Sequence, residues 1–230
     1  MKTIGLVGGT GWISTAEYYR IINEEINRRL GGMEFARCAL FSVNFGDIQR
    51  FNDKRETEGI YAIMLDAAKN LEHIGVDCIL LCANTMHMHA DRIEKEISVP
   101  LIHIARATAK QIQVKGIKTV GLLGTRPTME KDFYKQKLAE DGIAALVPEK
   151  DDRVFIQRTI DEELLKGAFL PESKKRFLDV IRALCSQGAG GVVLGCTEIP
   201  LLIEQEDIEV PLFNTTVIHS MAAVDFALGR

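Results

Sequence analysis

Short apolar runs rich in Val, Ile and Leu alternate along the chain with longer stretches whose apolar residues recur every three to four positions. The runs predict strands over Thr3–Val7, Arg37–Val43, Cys78–Leu81, Leu101–Ile104, Thr119–Leu123, Ala144–Val147, Gly191–Leu194 and Pro211–Asn214. The periodic stretches predict helices over Thr15–Leu30, Glu56–Ile74, Ala90–Ile97, Thr128–Asp141, Asp151–Leu165 and Glu172–Gln187. Strand followed by helix, repeated, is the pattern of an α/β fold with a largely parallel sheet. The strands are apolar throughout rather than alternating, as expected when helices cover both faces of the sheet.

The pattern repeats within the chain. Lys2–Gly8 (KTIGLVG) is echoed by Lys118–Gly124 (KTVGLLG), 116 residues on. Cys78–Thr85 (CILLCANT) is echoed by Val192–Glu198 (VVLGCTE), with Cys82 laid over Cys196 at an offset of 114. Val99-Pro100-Leu101-Ile102 matches Val210-Pro211-Leu212-Phe213 at an offset of 111. Three landmarks in one order predict a duplicated unit, and two copies are too few for a solenoid. The expected architecture is a pair of three-layer α/β domains related by a pseudo-two-fold axis, with mostly parallel sheets. Residues 1–100 with 214–230 form the first and residues 101–213 the second. Ligands of open α/β sheets bind beyond the carboxyl ends of the strands. The active site is therefore expected in the cleft between the domains, with Cys82 and Cys196 on opposite walls.

Composition narrows the classes. The 230 residues carry 28 Lys and Arg against 32 Asp and Glu, a net charge of −4, so the basic excess of a nucleic-acid binder is missing. No apolar run is long enough to cross a bilayer, and Met1–Thr10 reads as a strand and a glycine turn rather than a secretory signal. These features predict a cytoplasmic protein with neither a nucleic-acid nor a membrane partner. The five cysteines, Cys38, Cys78, Cys82, Cys185 and Cys196, are odd in number and form no CxxC pair, which predicts free thiols. Gly8-Gly9-Thr10-Gly11 after a strand resembles part of a dinucleotide fingerprint, but the G-x-G-x-x-G spacing and the later acidic residue are missing.

A cysteine at a strand end, just before a helix, lies near unpaired backbone N–H groups and the positive end of the helix dipole, which favour thiolate. The same donors suit a carboxylate ligand. Two such thiols across one small carboxylic acid suggest acid–base chemistry at an α-carbon. One thiolate removes the proton from one face and the other thiol supplies one to the opposite face. Asn84, Thr85 and Thr197 are candidate carboxylate donors or helix caps. Gly9 and Thr10 line the first strand-to-helix turn, and Thr125 holds the equivalent place in the second half. Glu198 either binds the substrate ammonium or raises the pKa of Cys196. Thr128 reads as a helix cap at the same end. His87 is read as a neighbour of Cys82 rather than a metal ligand, and no metal site is expected. Cys38, Cys78 and Cys185 lie within apolar segments and read as packing residues.

At these residues the chain resembles the aspartate/glutamate racemase family. The resemblance runs from Lys2 to about Phe226 and rests on Gly5–Thr10 (GLVGGT), Cys82–Thr85 (CANT), Leu123–Thr125 (LGT), Glu162–Gly167 (EELLKG) and Gly195–Glu198 (GCTE). It implies two pseudo-symmetric α/β domains, one catalytic cysteine from each, no cofactor, and a homodimer. Gly8–Gly11 in place of an Asp-Ser-Gly turn, and Glu198 after the second Cys-Thr, point to the aspartate racemase branch. Asn84-Thr85-Met86-His87 resembles its broad-specificity members. The resemblance makes Lys166, before Gly167, a candidate holder of a side-chain carboxylate. The arginine that grips the distal carboxylate in aspartate-specific members has no Pro-x-Arg counterpart here, which leaves Arg50 as its substitute. The reading is thus a cofactor-independent amino-acid racemase with Cys82 and Cys196 as the catalytic pair. Its substrate is aspartate, glutamate or a broader range of amino acids. The competing readings are a cysteine-dependent isomerase of a small dicarboxylic acid and a two-lobed amino-acid-binding protein without catalysis.

Overall fold

The computed structural model describes residues 1–229. The chain divides into two compact units, Met1–His103 with His219–Arg230 and Ile104–Ile218. Each is a parallel α/β sandwich.

In the first unit, β1 (Ile4–Gly8) leads into α1 (Trp12–Leu30), β2 (Cys38–Ser42), α2 (Phe45–Lys54), α3 (Thr57–His73) and β3 (Cys78–Leu81). A 3-10 turn over Thr85–His89 and the short α4 (Ala90–Ile93) follow. The sheet order is β2-β1-β3, all parallel, extended by a single bridge from Ile79 to Leu101. Alternate residues supply the two cores, as the period of a strand requires. Ile4, Leu6, Cys78, Leu80 and Cys82 pack on Tyr18, Ile22 and Ile26 of α1 and on Ala223 and Val224. Val7, Ile79 and Leu81 pack on Ile48, Ile60, Met64 and Ala67 of α2 and α3.

The second unit opens with α5 (Ile104–Val114) and β4 (Thr119–Gly124). It continues with α6 (Arg126–Glu130), α7 (Asp132–Glu140), β5 (Ala144–Leu146), α8 (Lys150–Glu162), α9 (Pro171–Ser186), β6 (Val192–Gly195) and β7 (Leu212–Asn214). Its order, β5-β4-β6-β7, reproduces that of the first sheet. Val120, Leu122 and Val193 face α5 and α7, whereas Leu123, Val192, Leu194 and Cys196 face α8 and α9. The last helix, α10 (Thr215–Leu228), begins in this unit and belongs to the first from His219 onward.

The elements differ from the sequence expectation in several places, among them α5, which the periodic stretches did not predict. The helix expected over Thr128–Asp141 is two helices that break at the extended residue Lys131. Its cap is Thr125, not Thr128, because Pro127 sits in the first turn, where a missing N–H costs nothing. The strand expected over Leu101–Ile104 is reduced to the Leu101 bridge, and Ile104 already starts α5. The helix expected over Ala90–Ile97 ends at Ile93. Helix α2 gave little sequence signal because Ile48 is its one fully buried residue; its start is fixed by Asn44, whose side chain accepts the Gly46 N–H at 3.1 Å.

Candidate active site

In the second unit the chain leaves β6 at Gly195 and turns at once into Cys196-Thr197-Glu198, ahead of a one-turn 3-10 helix over Ile199–Leu201. The Cys196 thiol donates to Glu198 Oε2 at 3.0 Å, and the Thr197 hydroxyl donates to the same oxygen at 2.7 Å. Both Cys196 and Glu198 are buried. Burial raises the Cys196 pKa well above its ordinary value, and the adjacent Glu198 charge and hydrogen bond raise it further. The expectation that a helix terminus would favour thiolate here is therefore reversed: a 3-10 helix of three residues has little dipole, and the carboxylate beside the sulfur outweighs it. Gly124 and Gly195 let the ends of β4 and β6 approach. A Cβ on Gly124 would lie 2.7 Å from the Gly195 carbonyl, and one on Gly195 2.8 Å from that of Leu123. The Thr125 hydroxyl lies 3.1 Å from that of Thr128, so both expected threonines do stand at this end of the sheet.

In the first unit the turn after β1 is built on Gly9. Its φ is +92°, and an added Cβ would sit 2.1 Å from the Val43 carbonyl, so this close approach to the end of β2 requires glycine. The Gly9 N–H donates to Thr15 Oγ1 at 3.0 Å. The Thr10 hydroxyl oxygen is buried with no hydrogen-bond partner among the described residues. Asn84 is buried at the start of the Thr85–His89 turn, but it is itself helical and makes no side-chain cap bond, so its expected capping role does not hold.

Cys82 does not stand where the sequence repeat places it. Strand β1 pairs Val7 with Leu81, and strand β4 pairs Leu123 with Leu194 and Gly124 with Gly195. Val7 and Leu123 are equivalent in the repeat, so Leu81 corresponds to Leu194, Cys82 to Gly195 and Ala83 to Cys196. The offset is 113 rather than 114. A slip of one residue sends a side chain to the other face of a sheet. Accordingly Cys82 is 1% exposed and packs in the core beneath α1 and α10, whereas Ala83, half-buried, lies on the face that Cys196 occupies in its own unit. The Cys82 N–H donates to the Val7 carbonyl at 2.9 Å, and its carbonyl accepts from Ser14 Oγ at 3.0 Å. Burial, with a smaller push from Cys38, raises the Cys82 pKa, so no thiolate is favoured here either.

A profile of the Asp/Glu/Hydantoin racemase family matches residues 7–224. The chain belongs to that family. It is an isomerase of the racemase type, acting on amino acids. Among curated relatives, the broad-specificity amino-acid racemase RacX of Bacillus subtilis (strain 168) is 27% identical over 72% of this chain and 71% of its own length. The glutamate racemase of Aquifex pyrophilus is 30% identical over 76% of this chain and 66% of its own length. Among solved structures, an aspartate racemase homologue from Pyrococcus horikoshii OT3 is 36% identical and superposes with a TM-score of 0.86, covering 99% of this chain and 100% of that chain. A Yersinia pestis protein described as a candidate Asp/Glu racemase is 44% identical with a TM-score of 0.94, over 99% and 100% of the two chains.

The remaining family-derived candidates lie on the surface of their own units. Arg50, on α2, is exposed and ion-paired with Asp47. Lys166 is exposed at the end of a 3-10 turn over Leu164–Lys166, closed by Gly167 at φ +75°.

His87 is buried, and its Nδ1–H donates to the Ala83 carbonyl at 2.9 Å. Its ring lies 4.8 Å from that of His103 and 5.3 Å from that of His219. His219 Nε2 meets the Ile102 carbonyl at 2.6 Å, which makes Nε2 the protonated nitrogen and leaves Nδ1 to accept from the Tyr18 hydroxyl at 2.8 Å. Burial lowers the pKa of His87 to about 4 and that of His219 to about 3, the latter helped by His87. Among the described residues no three His, Cys, Asp or Glu side chains are arranged to hold a metal ion. Sequence reasoning reached His87 but not its ring neighbours His103 and His219, nor Tyr18, which bonds to His219; these come from three separate segments. Among the described residues, no helix is long and apolar enough to cross a membrane.

Proposed function

We propose that this chain removes and returns the α-proton of a free amino acid and so inverts its α-carbon, with Cys196 carrying the proton and Glu198 as its partner. The observation that carries this reading is the buried Cys196–Glu198 hydrogen bond, with Thr197 on the same carboxylate oxygen. An α-C–H bond is a very weak acid, so its base must be strong. A thiolate whose conjugate acid has a raised pKa is a stronger base than an ordinary one. Glu198 takes the proton as the S–H bond breaks. The thiolate then takes the α-proton, re-forming S–H while the C–H electron pair moves into the substrate carboxylate. Return of a proton from Cys196 restores the starting enantiomer, and a proton delivered to the opposite face inverts the α-carbon. Cys196 and Glu198 are buried, and burial strengthens each of these interactions.

The candidates for the substrate carboxylate are Thr10, Asn84 and Thr85 in the first unit and Thr125 and Thr197 in the second; the Gly9 N–H is already given to Thr15, so Gly9 serves by shaping the turn before Thr10. Thr10 supports this, because a buried hydroxyl without a partner costs about 1–3 kcal/mol until something bonds to it. Acidic amino acids are the first substrates to expect, with Lys166 rather than the paired Arg50 on the distal carboxylate. No step draws on a cofactor. The reading includes a cytoplasmic location, expected from the sequence, and a homodimer, which the family resemblance implies.

The test uses purified, reduced protein in D2O with no added cofactor. L- and D-aspartate, glutamate, homoserine and lysine are followed by proton NMR and chiral chromatography. Deuterium uptake and net inversion, both fastest for the acidic pair, are expected. Absence of exchange with every amino acid would remove the reading.

A further inference from the structure

We infer that this racemase works with one thiol, Cys196, and that Ala83 stands where a symmetric mechanism would place a second. The inference rests on the function proposed above but on separate observations. Strand register makes Ala83 the counterpart of Cys196 and Cys82 the counterpart of Gly195. Side-chain alternation agrees: Cys78, Leu80 and Cys82 share the core under α1 and α10, while Ile79, Leu81 and Ala83 share the other face. In the second unit it is Val192, Leu194 and Cys196 that share that other face. The same register sets Asn84 against Thr197 and Thr85 against Glu198. The first unit therefore lacks both halves of the proton-carrying pair, thiol and carboxylate together. A loss of both is what a strand end released from proton transfer would show.

The consequence is an isotope pattern. With two thiols, one takes the α-proton and the other delivers solvent deuterium to the opposite face, so label arrives with inversion. With Cys196 alone, the proton taken from the enantiomer that faces it exchanges with solvent through Glu198. Deuterium then returns to the same face, with retention. Inversion waits for a hydroxyl or water, both far weaker acids than a thiol, to protonate the other face.

The experiment follows α-deuterium in recovered substrate and in product, starting from each enantiomer of aspartate and glutamate. For one enantiomer, exchange with retention is expected to outrun inversion by about tenfold or more. Ala83→Cys is expected to raise inversion by about tenfold and to close that gap, while Ala83→Ser, of similar size, does not. Cys82→Ala and Cys82→Ser, checked for folding by circular dichroism, are expected to keep both rates within about threefold of the parent. Label that appears only with inversion in the parent protein overturns the inference, and so does a loss of about a hundredfold in both folded Cys82 variants. If the Cys82 variants do not fold, the parent isotope pattern and Ala83→Cys decide. Alkylation by iodoacetamide, mapped by mass spectrometry, needs no turnover. In Ala83→Cys the introduced thiol is expected to react about tenfold faster than Cys82. Equal rates would mean that Cys82 does not face the core, whatever the protein catalyses. A parent protein that exchanges no amino acid, with that alkylation difference intact, would sink the proposed function and leave the placement of the thiols standing.

Discussion

The two strand ends share a backbone and differ in almost everything chemical. At the end of β6 a thiol and a hydroxyl converge on one carboxylate oxygen. At the end of β3 the equivalent positions hold Ala83, Asn84 and Thr85, and the Ala83 carbonyl is held from behind by a buried histidine. The first end is arranged to carry a proton, the second to hold its backbone in place and present polar donors. Duplication preserved the sheet order and the path of the chain at both ends, because these are fixed by backbone pairing and core packing. The side chains beyond the last pair are not fixed in that way, and there the halves diverged.

The sharpest way to break this comparison is to remove each thiol in turn. Cys196→Ser is expected to lower α-proton exchange by about a thousandfold, within the usual range for a lost acid–base group. If Cys82→Ser costs as much in a folded protein, the two ends are equivalent after all. Glu198→Gln sharpens the comparison further. It removes the charge that holds Cys196 protonated, so exchange is expected to fall by about tenfold to a hundredfold while Cys196 alkylates faster. Cys82, in the other unit, is expected to alkylate at its parent rate.

Acid separates the units in a third way. All five histidines lie in the first unit, and the second, Ile104–Ile218, has none. An unfolded histidine titrates near 6.5, whereas His87 titrates at about 4 in the fold. Below pH 6.5 the unfolded chain therefore binds a proton that the folded chain refuses. The stability from the neutral ring is complete above that pH and is lost as pH falls towards 4. His87 alone is expected to cost about 2 kcal/mol between pH 7 and pH 5, and His219, at about 3, adds to it. Amide hydrogen exchange at the two pH values should show the loss in β1, β3 and α10 and leave β4 and β6 protected. His87→Gln, which cannot take up the proton, should flatten the dependence.

Much of this was legible in the sequence. Apolar runs located the seven strands among the described residues, most clearly β1, β3 and β6, which are covered on both faces and buried throughout. The repeat predicted that two sheets would share one order. Glu198 beside Cys196 was readable because a carboxylate two residues from a thiol has few places to go. Register was the property that sequence left open. Laying Cys82 on Cys196 gives a tidy match, while the structure aligns Asn84-Thr85 with Thr197-Glu198. The offset of 113 falls in the descent from 116 to 111 as well as 114 does, so spacing alone could not choose. Hydrogen bonding between β1 and β3 chooses, and it moves one thiol into the core. The histidine contacts were equally out of reach, since Tyr18, His87, His103 and His219 meet only after the first unit has closed around α10.

The smallest effect is expected at Arg50. In its own unit it is exposed and already paired with Asp47 three residues earlier on the same helix. Such pairs contribute about 0.5 kcal/mol or less, so Arg50→Gln should leave the melting temperature nearly unchanged. It should also leave kcat/KM for aspartate within about threefold, in proportion with that for homoserine. Lys166→Gln, by contrast, should raise KM for the acidic substrates about tenfold and spare the neutral one. The pair of variants asks which unit reads the substrate side chain. If Arg50→Gln removed aspartate turnover alone, the first unit would supply the distal contact and the second the proton chemistry. The divergence between the halves would then extend from the reacting carbon to the choice of substrate.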